Sequence, residues 1–369
     1  MHSDVILVIV VGAALAFDFT NGFHDTANVV ATAISTRAVS PRLAVTLAAL
    51  LNFVGAFVSL KVAATVGKGI VDAASVTTTI VFAGLIGAIA WNLATWYFGL
   101  PSSSSHALIG GLVGSMLVAK GAGAIQGDGL MEKVVVPAIV APLLAFAVAG
   151  LSILIVYRIV GRLRPGPVNR GFRLGQIASG GLLALSHGTN DAQKTMGIIT
   201  LALIAHGNIA ADNFHVPDWV VLSAASAIAL GTYTGGWRII RTLGSRIIKM
   251  DPAQGFAAQG VGAAVIMAAS HVGFPLSTTH VISGAIMGTG AAKRVSAVRW
   301  GVAGNIVTAW VLTLPAAALI GALTYGFTRI FGTGAAGAVV VSVLILAGAA
   351  VLFGRRARRG PAVTAAESR

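Results

Sequence analysis

Apolar residues fill this chain in long runs, at 5–17, 26–36, 43–66, 79–99, 103–119, 134–156, 175–186, 192–205, 219–235, 256–273, 277–291, 297–327 and 335–353. A helix needs about 20 apolar residues to cross a bilayer core. Several runs fall short of that, and the short ones come as neighbours: 5–17 with 26–36, 79–99 with 103–119, 175–186 with 192–205, and 256–273 with 277–291. Polar or Gly/Pro residues divide each pair. The pattern predicts an all-α integral membrane protein with broken helices. The pairs at 5–36 and 175–205 are expected to cross once each, and the other two to form re-entrant helical hairpins.

The polar interruptions repeat. NGFHDTAN (21–28) aligns with HGTNDAQK (187–194), setting Gly22 over Gly188 and Asp25 over Asp191. The turns PSSSSHALIGGLVG (101–114) and PLSTTHVISGAIMG (275–288) share Pro101/Pro275, Ser103/Ser277, His106/His280, Gly110/Gly284 and Gly114/Gly288. Two matches in the same order indicate an internal duplication. Interrupted segments at corresponding places in two halves are the mark of an inverted-repeat secondary transporter, whose site lies between the halves. The division expected is a first repeat over 1–157, a basic linker over 158–174, a second repeat over 175–354 and a basic tail over 355–369.

Composition narrows this further. Of 369 residues, 56% are hydrophobic and 10% charged, against about 25% charged in a soluble domain. The net charge of +14 could point to nucleic acid, but the bases lie in short segments between apolar runs. Arg158, Arg162, Arg164, Arg170 and Arg173 share one such segment with no acid. By the positive-inside rule, 158–173, GWRIIRTLGSRIIK (236–249) and the tail are cytoplasmic, while 120–133 and 206–218 are outside. The N-terminus is then outside, the C-terminus inside, and the two hairpins enter from opposite faces. The first run carries no basic flank of the kind a cleaved signal has, and is expected to remain as a span. The chain holds no cysteine, so disulfides and thiolate metal sites are excluded.

The candidate chemistry lies at the interruptions. Pro101 and Pro275 disfavour helix just before them, and the hydroxyl residues that follow can cap new helices. Each new helix then turns free N–H groups and the positive end of its dipole inward, a ready anion site. Two such ends from opposite sides would grip a small oxyanion; alternatively, the hydroxyls merely cap and pack buried helices. An acid at membrane depth costs at least ~2.5–3.5 kcal/mol and marks function. Asp25, Asn28, Asn190 and Asp191 offer hard oxygens for an alkali cation, or a carboxyl for a proton. Lys194, three residues after Asp191, suits either an ion pair or the substrate. His24, His106, His187 and His280 also sit at the interruptions, either as buried hydrogen-bonding groups or as proton relays. Asp18 is assigned to capping a helix break. No HExxH or GxxxxGK[ST] occurs, so no zinc or nucleotide site is expected. The glycines of GLVG and GAIMG suit close helix packing.

HGTNDAQKTMG (187–197) and, more loosely, GFHDTANVVA (22–31) resemble the G-A-N-D-x-x-N-x-x-G signature of the inorganic phosphate transporter (PiT) family. The paired P-x-S-x-S/T-H turns are similar to that family's hairpins, and the likeness runs from residue 5 to about 353. The resemblance implies a multi-pass carrier in the cell membrane, a homodimer that binds inorganic phosphate with coupling cations and needs no cofactor. It implies that Asp25, Asn28, Asn190 and Asp191 serve cations and, for the asparagines, phosphate. It implies that Ser103, Ser104, Ser105, Ser277, Thr278 and Thr279 contact phosphate. His24 stands where the family usually has Asn, which favours H+ over Na+ as the coupling ion. His24, His106, His280 and Lys194 are the candidates for proton relay or support of the site. Alternatives are the same fold carrying sulfate or a neutral metal–phosphate complex, or an anion channel. An intramembrane hydrolase fits poorly, because a nucleophilic serine would be single and this motif comes twice.

Overall fold

The computed structural model describes residues 4–332 and 334–358, with side chains up to residue 348. The expected tail from 359 onward lies outside the described residues. In chain order the helices are α1 (Asp4–Ser35), α2 (Pro41–Gly55), α3 (Lys61–Lys68), α4 (Thr78–Phe98), α5 (Ser104–Lys120) and α6 (Gly127–Val160, with a π turn at Met131–Val135). They continue as α7 (Pro165–His206), α8 (Asp218–Thr234), α9 (Trp237–Arg241), α10 (Pro252–Val272), α11 (Thr278–Lys293), α12 (Trp300–Arg329) and α13 (Ala336–Arg358). Among the described residues, five are long and apolar enough to cross a membrane: α1, α4, α6, α10 and α12. Large apolar side chains stand on their outer faces, among them Leu143, Leu151, Val311 and Leu323. A continuous apolar exterior of this kind faces lipid.

Both hairpins form at the expected places and by the same device. α4 ends at Gly99, whose φ of 66° lets its N–H reach back to Thr95 and Trp96. α10 ends at Gly273, φ 85°, bonded to Ala269 and Ser270. A left-handed residue at this point reverses the chain, and glycine adopts it without steric penalty. Pro101 and Pro275 follow, then Ser103 and Ser277 open α5 and α11 by accepting the His106 and His280 amides at 3.1 and 3.2 Å.

The packing is mirrored between halves. α5 lies on α12 as α11 lies on α6, and α1 lies on α8 as α7 lies on α2. The repeated glycines set these contacts. A Cβ on Gly114 would stand 2.0 Å from the Ala318 oxygen, and one on Gly288 would stand 2.1 Å from that of Phe146. Gly22 and Gly188 meet the Ile228 and Asn52 carbonyls at 2.3 and 2.2 Å in the same sense. Small residues thus let backbones touch, as helix association in lipid requires.

One expectation is corrected, and two features are added to it. The interruptions at 18–25 and 187–191 do not break the backbone: α1 runs unbroken for 32 residues and α7 for 42. Their polar side chains bond to neighbouring helices and leave the helical ladder intact, so Asp18 sits in mid-helix and caps nothing. The apolar run 43–66 is split, with α2 ending at Gly55 and α3 starting at Lys61. The basic linker is mostly helical, because Pro165 suits the first helical position and starts α7 there. α7 lacks a long apolar stretch and is polar through its middle, yet residues 186–204 are buried in protein. That burial keeps its polar groups away from lipid.

Candidate functional site

Two buried carboxyl groups form the centre. Asp25 of α1 has its Oδ1 2.8 Å from His24 Nδ1, and its Oδ2 accepts from Ser104 Oγ at 2.8 Å. Asp191 of α7 accepts from Lys194 Nζ at 2.6 Å on Oδ1, and His187 Nε2 lies 3.2 Å from its Oδ2. The Thr278 hydroxyl stands between the two acids, 3.4 Å from Oδ2 of each. Thr279 Oγ1 is 3.3 Å from Asp25 Oδ1, and Asn28 Nδ2 donates to Thr279 at 2.9 Å and to Thr278 at 3.3 Å.

The hairpin tips touch at this point. The Leu276 carbonyl, in the second turn, accepts from Ser105 Oγ at 3.1 Å and from Lys194 Nζ at 2.8 Å. Lys194 also donates to Ser105, so one ammonium ties both tips to Asp191. Each tip is the start of a helix, where the first N–H groups lack intrahelical acceptors. Ser104, Ser105, Thr278 and Thr279 are the first two residues of those helices. Hydroxyls, amide dipoles and one ammonium therefore converge on the two carboxyl groups.

Other candidates lie in a ring around this centre. Ser103 and Ser277 spend their oxygens as helix caps. Asn190 turns its amide to Ser270 Oγ at 2.8 Å and the Phe274 carbonyl at 3.0 Å, bracing the second turn from below. His24 Nε2 lies 3.2 Å from Thr95 Oγ1 and 3.4 Å from Ser102 Oγ, which ties α1 to the first turn. His106 and His280 pair edge-on at 4.8 Å, and His280 stacks on Trp310 at 4.0 Å. These two rings face an apolar groove of about 780 Å³ beside Pro142 and Met287 rather than the acids.

The structure adds residues that sequence reasoning passed over. Asn21 accepts from Ser104 Oγ at 2.6 Å, and Thr95 accepts from Ser102 Oγ at 2.8 Å. His187, already a candidate at the interruption, meets Asp191 across one helical turn at i, i+4. Thr95 lies inside an apolar run and gave no local signal. An oxygen of Asp25, a ring nitrogen of His187 and an oxygen of Asp191 lie within 4.8 Å of one another, close enough to share one cation.

Known proteins share this chain's pattern. The phosphate transporter family's sequence profile matches residues 21–169 and 162–321. A probable low-affinity inorganic phosphate transporter of Mycobacterium tuberculosis is 51% identical over 356 residues, covering 96% of this chain and 85% of that one. One of the same description from Rhizobium meliloti is 53% identical over 321 residues, or 87% of this chain and 96% of that one. A solved structure described as a sodium-dependent phosphate transporter superposes with a TM-score of 0.76 at 25% identity, covering 88% of this chain and 99% of that one. With most of its length matched and half its residues shared with such relatives, the chain belongs to the phosphate transporter family.

Proposed function

We propose that this protein carries inorganic phosphate through the cell membrane in symport with cations, by alternating access, and that the cation is H+ rather than Na+. One observation carries the reading: two mirror-related helix starts, with their hydroxyls, meet at a pair of buried carboxyl groups, the second of which holds an ammonium. The names of the relatives support phosphate as cargo. The sodium dependence ascribed to the structural neighbour supports a coupling cation.

Electrostatics supports coupling independently. Entry of a divalent anion against an inside-negative potential opposes ~4.6 kcal/mol at 100 mV. Two aspartates against one lysine give the cluster a formal charge of −1 with the histidines neutral, so a divalent anion is better received together with cations. In this reading Asp25, Asp191, Asn28 and Asn190 serve the cations. Ser104, Ser105, Thr278 and Thr279 meet phosphate, with Ser103 and Ser277 holding the helix starts that present them. His24 lies against Asp25 where it can exchange a proton, which favours H+. The repeats divide at the basic segment 158–174, with the N-terminus outside and the C-terminus inside, and the protein works as a homodimer. A second reading, carriage of a neutral metal–phosphate complex, is favoured by the Asp25–His187–Asp191 cluster.

Uptake of labelled phosphate into vesicles holding the purified protein tests this. Accumulation should persist when sodium is replaced by choline at fixed pH, rise with an inward proton gradient, and fail in Asp25→Asn and Asp191→Asn. Unchanged accumulation in both variants would sink the cation assignment. Competition by sulfate and arsenate, with and without magnesium, separates the cargo readings.

A further inference from the structure

Asp18 takes no part in the cluster just described. It lies on α1 two turns before Asp25, about 10 Å along the helix axis. It is fully buried, and neither of its carboxyl oxygens completes a hydrogen bond. Asn21 and Thr195 flank it, at 1% and 0% exposure. Their facing atoms, Asn21 Nδ2 and Thr195 Oγ1, are also without partners. These four buried polar atoms have only one another to face at membrane depth, a costly surrounding for a carboxyl group that calls for a purpose. The charged groups facing the spot are Asp191 and Lys194 of α7. On α1 itself the next titratable groups are His24 and Asp25.

The donor set selects the ligand. Asn21 spends its oxygen on Ser104, which leaves its NH2 for the neighbouring Asp18. An NH2 repels a metal cation, but it suits a carboxyl group. A protonated Asp18 can donate its O–H to Thr195 while accepting from Asn21. After the proton leaves, the Thr195 hydroxyl and the Asn21 NH2 both donate to the carboxylate. The pocket therefore serves both states without rebuilding.

We propose that Asp18, flanked by Asn21 and Thr195, is a proton-carrying site of the transport cycle, distinct from the Asp25–Asp191 centre. The proposal rests on the phosphate-carrier reading above and adds a further group that takes a proton, beside the cation sites at Asp25 and Asp191. A route to the centre is present. The Ser104 hydroxyl has one proton and two acceptors in reach, Asn21 Oδ1 at 2.6 Å and Asp25 Oδ2 at 2.8 Å. Asn21 thus joins the Asp18 pocket to a hydroxyl on the first hairpin tip. Loading or unloading Asp18 changes the charge that the Asn21 amide faces, and so biases the contact between that tip and Asp25.

The test separates driven uptake from exchange in reconstituted vesicles. Phosphate–phosphate exchange needs binding and alternating access but no net proton movement. An inward gradient of about one pH unit should raise accumulation by the wild type about tenfold per proton carried. In Asp18→Asn, exchange should stay near wild type while that rise loses one factor of about ten and the accompanying internal acidification falls. Asp18→Glu should restore them. If Asp18→Asn does not fold, Thr195→Val carries the test: the pH profile of driven uptake should shift while exchange is kept. Gradient-driven accumulation and acidification undiminished in Asp18→Asn, or an unshifted profile in Thr195→Val, would overturn the proposal. Wild-type uptake driven by sodium and indifferent to pH would overturn it and leave the carrier reading standing. A wild type that moves no phosphate would end the carrier reading, and the proposal with it.

Discussion

Replacing Lys194 by methionine removes the ammonium that ties both hairpin tips to Asp191. The pair is 2.6 Å apart and fully buried. At an effective dielectric of about 20, that separation corresponds to about 6 kcal/mol of attraction. The hydration given up by both ions offsets part of it. Removing one member of a buried pair leaves the other charge uncompensated, at about 3–5 kcal/mol. The bonds to Ser105 and the Leu276 carbonyl are lost as well. At roughly 2 °C per kcal/mol for a chain of this class, the thermal midpoint should fall by about 6–10 °C. Lys194→Met and Asp191→Asn should each destabilise the purified protein in detergent, and the double variant should recover much of the loss. Saturating phosphate should raise the midpoint of the wild type and not that of Lys194→Met. The reasoning fails if Lys194→Met lies within about 0.5 kcal/mol of wild type, or if the double variant is no better than the two losses added.

Ser104→Ala and Thr278→Ala should each weaken apparent phosphate affinity by up to about tenfold, the worth of one hydrogen bond, in concentration-dependent uptake. Ser103→Ala removes a cap instead, so it should lower the thermal midpoint by about 1 kcal/mol equivalent and leave affinity alone. Gly288→Val would press a side chain onto the Phe146 carbonyl, since even its Cβ would stand 2.1 Å from that oxygen. That overpacking should cost at least about 1–3 kcal/mol and abolish uptake, whereas Gly301→Ala, with open space around it, should do neither. His24→Asn keeps a polar group beside Asp25 but no titratable ring. Uptake should then depend less on pH and more on sodium, read as the ratio of rates in sodium and choline.

How much of this was legible beforehand differs between hairpins and site. The hairpin turns were readable because their causes are local: a glycine that reverses the chain, a proline that forbids helix before it, and a serine that caps the next one. The same holds for Gly114 and Gly288, where repeated small residues in an apolar helix announced close packing. Polar runs at 18–25 and 187–191 read as breaks and turned out continuous, because side-chain bonds to other helices, such as Ser104 to Asp25, Thr189 to Gly55 and Asn190 to Ser270, satisfy them without disturbing the backbone. Asp18 illustrates the opposite limit: its type marked it, but only its surroundings distinguish a cap from an unpartnered carboxyl.

The sequence by itself determined that the chain lives in a membrane, is built twice over, and bears an aspartate and a hydroxyl-rich turn in each half. Those traits depend on residue type and short spacing, which need no partner. The tertiary structure alone decided which half supplies which group to the centre. Thr278 reaches Asp25 across 253 positions of chain and Lys194 reaches Ser105 across 89. Such contacts arise from how mirrored helices cross, and that crossing is set by many small packing terms acting together, none of which is written at the residues that finally meet.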